Sequence, residues 1–366
     1  MVSLFARATR RIGMTHIRYV SPVPAHAATG LAARVCREVE RDFGMLAPPL
    51  TLHAAAPATL AATWLMLRET LLVPGLVSRA AKEAVAAAVS LANRCPYCVD
   101  VHGTTLGGLL RGPDAAAVAA DRIDAVTDPH LRALARWARA SGIATASAGA
   151  GTPFPPAQAP ELIGVAVTFH YINRMVNVFL CDSPLPPVPA AALGPVRRVA
   201  ARILAGVARI VPRSTESADL LPDAPLPADL SWAGGQGRIA AAFARASAAI
   251  DAGGTRAVPE RVRRLVTARL AGDTDVVPGL GSRAWLDRAV ADLPERERPA
   301  GRLALLTAFS SYQVTDGLVV EFVAQGHGDD ALIELASWAS LAAACRIGAH
   351  LGRDSAADPS RHAGER

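Results

Sequence analysis

At 366 residues and 38.0 kDa the chain is long enough for two domains. It is 51% hydrophobic, 19% charged and only 5% aromatic, which excludes a disordered chain and favours a core of Ala, Leu and Val packed as helices over a β-sandwich. The net charge of +6 is concentrated in residues 1–37, which hold Arg7, Arg10, Arg11, Arg18, Arg34 and Arg37 and no acid; the charge-balanced remainder argues against a broad nucleic-acid-binding face.

An Arg-rich, acid-free start has the look of an organellar transit peptide, but a solvated basic arm over 1–39 is the simpler expectation for a chain in which Lys82 is the only lysine. Apolar residues then recur at helical spacing over 58–73, 79–92, 96–110, 114–125, 129–141 and 160–181. The last of these is the most membrane-like stretch, yet His170, Asn173, Arg174 and Asn177 interrupt it, so no stable membrane insertion is expected. Nine prolines fall in 182–229, which reads with its flank as a linker, 182–234, holding one amphipathic helix near 196–211. That helix is expected to pack on the protein rather than lie on a membrane. Helical patterns return at 236–250, 258–271, 282–292, 299–324 and 329–351, before a polar tail over 352–366. The octapeptide Val73–Ala80 recurs as Val277–Ala284 with one change, which suggests a duplicated unit.

The chemistry is concentrated in one segment. Asn93 and Arg94 offer a break, Cys95 suits an N-cap and Pro96 the first helical position. Cys98 then falls in the first turn, with His102 one turn further on the same face. A helix N-terminus and a neighbouring imidazole are the conditions that lower a thiol pKa. Glu83 belongs to the preceding helix, and its reach to this cluster depends on the connection. A bare C-x-x-C also serves structural zinc, for which Cys95, Cys98, His102 and Glu83 are the available ligands. With no second C-x-x-C, redox chemistry is the stronger reading and no metal is expected. The five cysteines, Cys36, Cys95, Cys98, Cys181 and Cys345, are too few and too scattered for a secreted disulfide scaffold and fit a reducing, cytoplasmic setting.

Glu83, eleven residues, Cys95-x-x-Cys98, three residues and His102 resemble the signature of the alkylhydroperoxidase D branch of the carboxymuconolactone decarboxylase superfamily. The similarity runs over about 40–181 and includes FHYINRMVN at 169–177, while 235–351 resembles a degenerate second copy. The resemblance implies an all-α, duplicated fold and thiol-dependent peroxidase activity. It implies Cys98 as peroxidatic thiol, Cys95 as resolving thiol, and Glu83 with His102 as proton relay. A hydroperoxide or hydrogen peroxide would be the substrate, with a lipoyl or thioredoxin-like dithiol protein as reductant, no further cofactor, and a homo-oligomer as one assembly. Tyr97 stands where the well-studied branch has histidine and is a possible auxiliary residue. The helix dipole alone favours Cys95 as the attacking thiol; proximity to His102 and the resemblance favour Cys98.

In the second copy, Ser310 and Gln313 fall at the cysteine positions, Gly317 at His102 and Arg298 at Glu83, so this half should lack peroxidatic chemistry. His170 and Arg174 share a helix face and read as core-lining; Cys36, Cys181 and Cys345 read as small packing residues. Two rivals remain: a thiol–disulfide oxidoreductase acting on proteins, and a non-enzymatic redox- or zinc-responsive interaction protein.

Overall fold

The computed structural model describes residues 16–24, 26–142, 151–184, 190–212, 217–272 and 282–356. Its regular structure is helical throughout; among the described residues the only β-type pairing is an isolated bridge between Ile17 and Leu180. The helices are α1 (Gly30–Asp42), α2 (Pro57–Leu67, continued by a π-helical turn Arg68–Leu72), α3 (Arg79–Ala92), α4 (Pro96–Leu109), α5 (Asp114–Ala119), α6 (Pro129–Ala140) and α7 (Ala159–Phe179). After them come α8 (Ala190–Ala208), α9 (Gly237–Ala257), α10 (Glu260–Ala271), α11 (Ser282–Ala289), α12 (Arg298–Ser310), α13 (Asp316–Val323) and α14 (Asp329–Ala356).

The Ala-rich composition sets the packing. In α3, Ala84, Val85, Ala86, Ala87, Ala88 and Val89 are all fully buried, so three neighbours (α4, α6 and α7) lie against it at once. Ser78 caps α3 by accepting from the Ala81 amide, and Asp128 caps α6 through the amides of His130 and Leu131. At the centre runs α7, in which every residue but Asn177 is buried. It packs on α3 on one side and on α14 on the other.

The two halves share one continuous core. Helix α2 packs against α9 and α7 against α14, while α3 lies on α7 as α12 lies on α14. The same local order thus recurs in both halves, as a duplicated unit requires. The repeated octapeptide itself, Val277–Ala284, falls largely outside the described residues, as do 1–15 of the basic arm and 357–366 of the tail.

Four expectations need correction. The arm drawn over 1–39 hides α1, whose Ala32, Val35, Cys36 and Val39 form a buried stripe against α2. The segment 182–234 is no spacer: α8 packs on α4, and the 3-10 turns at Ala228–Gly235 bury Leu230 and Ala233 against α14, α7 and α9. The helix expected over 299–324 is two, because Ser310 leaves helical geometry (φ −152°, ψ 57°) and a 3-10 turn, Ser311–Gln313, intervenes. Finally, among the described residues two helices are long and apolar enough to span a membrane, Pro156–Phe179 and Asp329–Ser355, against the expectation of none. Both are core helices, 94% and 72% buried, and the polar side chains of α7 are used inside the protein.

Candidate active site

The thiol pair is set by a three-residue connection between α3 and α4. Asn93 closes α3, Arg94 takes a left-handed conformation (φ 51°), and Cys95 is the N-cap of α4 with Pro96 at its first position. The Cys95 amide donates to Ser90 O at 2.9 Å, folding α4 back along α3. That tight return answers the question the sequence left open about Glu83. His102 Nδ1 lies 2.7 Å from Glu83 Oε2, and Arg79 Nε donates to Glu83 Oε1 at 2.8 Å.

Burial by itself would raise the Glu83 pKa, but the positive charge of Arg79 and the His102 bond outweigh it and hold the carboxyl below its ordinary value. Glu83 is therefore an ionised acceptor, which fixes the proton on His102 Nδ1 and leaves Nε2 as the basic nitrogen. The His102 ring also stands edge-on to Phe169, with centroids 4.5 Å apart. The Cys95 thiol is pushed well up, first by burial and then by its hydrogen bond to Cys98 and the negative charge there. Cys95 thus stays a protonated thiol. Burial and both cysteines also raise Tyr97, which keeps its phenolic proton.

Access separates the two thiols. A cavity of about 300 Å³ opens beside α4, and Cys98, Tyr97 and His102 line it, as do His16, Phe169 and Leu71. Cys95 and Glu83 are buried and do not line it. Among the described residues, no group of three or more His, Cys, Asp or Glu side chains is arranged to hold a metal ion.

Residues 57–140, which carry Arg79, Glu83, Cys95, Tyr97, Cys98 and His102, match the carboxymuconolactone decarboxylase family. The alkyl hydroperoxide reductase of Mycobacterium tuberculosis is 38% identical over 348 residues, covering 95% of this chain and 98% of that protein. The chain belongs to the carboxymuconolactone decarboxylase family. A solved structure, the alkylhydroperoxidase core of an uncharacterized peroxidase-related protein from Ralstonia eutropha, is 22% identical and covers 47% of this chain and 98% of its own, with a TM-score of 0.37.

In this member of the carboxymuconolactone decarboxylase family the second half buttresses the thiol loop of the first. Asn177 Nδ2 donates both to Asn93 O and to Ser311 Oγ, each at 3.0 Å, and so ties the break before Cys95 to the corresponding break in the second half. Arg94 lies over the Tyr312 ring at 4.8 Å, and Arg174 Nε donates to Ala308 O at 3.0 Å. Ser310 and Gln313 occupy these second-half positions without a thiol between them. Arg298 donates to backbone carbonyls at Leu293 and Ala291.

His170 and Arg174 belong to a buried polar cluster with Asn93, Asn173 and Ser141, which orders the thiol loop from beneath. Cys36 and Cys345 are buried and Cys181 is exposed; burial pushes the Cys345 thiol up. Arg79, Phe169 and His16 were missed by the sequence reading. Arg79 was detectable as the residue four before Glu83, whereas Phe169 and His16 carry no sequence signal for proximity to α4.

Proposed function

We propose that the protein is a thiol-dependent alkyl hydroperoxide reductase in which Cys98 attacks, Cys95 resolves, and Glu83 with His102 moves the proton. The observation that carries this reading is that Cys98 and His102 face one cavity while Cys95, a buried and protonated thiol, does not line it. The name of the M. tuberculosis relative agrees with it. His102 Nε2 takes the Cys98 proton, and the imidazolium is stabilised by ionised Glu83. The Cys98 thiolate attacks the distal peroxide oxygen; the S–O bond forms, the O–O bond breaks, and His102 returns the proton to the departing alkoxide. Cys95 then attacks the Cys98 sulfenic sulfur, water leaves, and a Cys95–Cys98 disulfide closes. An external dithiol reopens it by exchange, itself becoming a disulfide.

The rival in which the pair acts directly on protein disulfides fits less well, because Cys95 is 0% and Cys98 2% exposed. A small peroxide, or a dithiol carried on a narrow arm, reaches Cys98 through the cavity; a disulfide set in a protein surface does not. The zinc reading is weakened because Arg79 and His102 already engage both Glu83 oxygens.

The test is consumption of an organic hydroperoxide with excess dithiol present. One alcohol and one oxidised dithiol are expected per peroxide, and Glu83→Gln should lower kcat by about 10²-fold or more, the scale of lost acid–base assistance. Reduction of a protein disulfide with the hydroperoxide untouched would contradict the proposal.

A further inference from the structure

The cavity at Cys98 has a polar end and an apolar body, and part of that body comes from an unexpected element. Tyr97, Cys98 and His102 come from the first turns of α4. Leu67 and Leu71 of α2, Phe169 and Ile172 of α7, and the Phe43–Leu50 segment supply hydrocarbon. The remaining side is closed by Ala200, Ile203 and Leu204 of α8, the helix that lies between the two halves in the chain.

The seat of α8 is specific. A Cβ on Gly108 of α4 would come within 2.6 Å of Ala201 O, so only glycine there lets α8 approach this closely. Arg209, the residue after α8, donates to Gly108 O at 3.4 Å. The apolar face of α8 thus meets the cavity while Arg198, Val199 and Arg202 face solvent.

We infer that α8 is the specificity wall of the thiol site, and that the site takes hydroperoxides bearing a compact apolar substituent, with the peroxide at Cys98 and the hydrocarbon against Ala200, Ile203 and Leu204. This rests on the thiol-peroxidase reading for its chemistry, but the binding of the hydrocarbon does not. A volume near 300 Å³ accommodates on the order of ten water-sized groups, so a substituent of cumyl size fits. Hydrogen peroxide fills little of it and leaves the apolar surface unsatisfied.

The test uses the full-length protein, cumene hydroperoxide and hydrogen peroxide as substrates, and cumyl alcohol as an unreactive probe. The wild type should favour cumene hydroperoxide in kcat/KM and bind cumyl alcohol by titration calorimetry. Ala200→Phe, which fills the cavity, should abolish that binding. Leu204→Ala, which only thins the wall, should lower the cumene-to-hydrogen-peroxide ratio of kcat/KM about tenfold through a higher KM for cumene hydroperoxide. An unchanged ratio in Leu204→Ala, or no binding of cumyl alcohol to the wild type, overturns the inference. Binding of cumyl alcohol that Ala200→Phe abolishes, with neither peroxide consumed, supports the binding wall and defeats the peroxidase reading.

Discussion

Cys98→Ser should lower hydroperoxide turnover by a factor of about 10³ or more, the scale on which loss of a nucleophile registers. The hydroxyl that replaces the thiol is not ionised near neutral pH, and Cys95 cannot substitute, since burial keeps it protonated and it does not line the cavity. Cys95→Ser should behave differently. It retains the thiol that faces the peroxide, so one equivalent of hydroperoxide should convert Cys98 to a sulfenic acid that a 1,3-dicarbonyl reagent traps. Multiple turnover should fail, because no partner displaces the hydroxide. The helix-dipole argument alone would give Cys95 the attacking role. The structure supplies one opposing consideration, cavity access, and it favours Cys98. Trapping at Cys95 in Cys98→Ser at the wild-type rate would reverse the roles.

Glu161→Ala should destabilise the fold by about 3–5 kcal/mol, the usual result of stranding one member of a buried ion pair. Glu161 is fully buried and lies 2.7 Å from Lys82 Nζ, the chain's only lysine, itself 1% exposed. Its oxygens also accept from the Leu76 amide at 2.7 Å and from Gln236 Nε2 at 2.8 Å. One carboxylate therefore holds the loop leading into α3, the start of α7 and the first residue before α9. Gly75 wraps so closely around it that a Cβ would collide with the carboxyl group. Lys82→Met combined with Glu161→Gln should recover part of the loss by removing both charges. Acid should act on the same group: burial raises the Glu161 pKa, but Lys82 and Gln236 outweigh that and lower it overall. The unfolded chain then binds the proton more tightly, so the stabilisation is present above the ordinary carboxylate range and is lost as pH falls through it. Urea midpoints at pH 7 and pH 4 measure both effects. A midpoint for Glu161→Ala within error of wild type would refute the assignment.

Much of this architecture is legible in the sequence where local chemistry decides. Pro96 after Cys95, with Ser78 and Asp128 as caps, marks helix starts that occur where the pattern puts them. Helix α1 is equally legible, since Ala32, Val35, Cys36 and Val39 repeat at helical spacing beneath the arginines of 1–37. The break at Ser310 was harder, because apolar residues flank it on both sides and the polar run 310–317 carries no proline; a bond from Asn177 of α7 to Ser311 helps to fix the turn. The Glu83–His102 bond depended on a three-residue connection whose direction is set by Arg94 at positive φ, which spacing alone does not reveal. Least legible was α8. Its amphipathic face suits a membrane, a core or a cavity equally well, and only its position against Gly108 shows which.

The central claim is that peroxide oxidises one specific pair of thiols. Fully reduced protein should be mixed with one equivalent of cumene hydroperoxide, quenched in acid, alkylated and mapped by mass spectrometry. Two thiols should disappear per peroxide, recovered as a Cys95–Cys98 disulfide, while Cys36, Cys181 and Cys345 remain alkylated. Thiol loss no faster than that of free cysteine, or oxidation at those other three cysteines with the pair intact, would contradict the account.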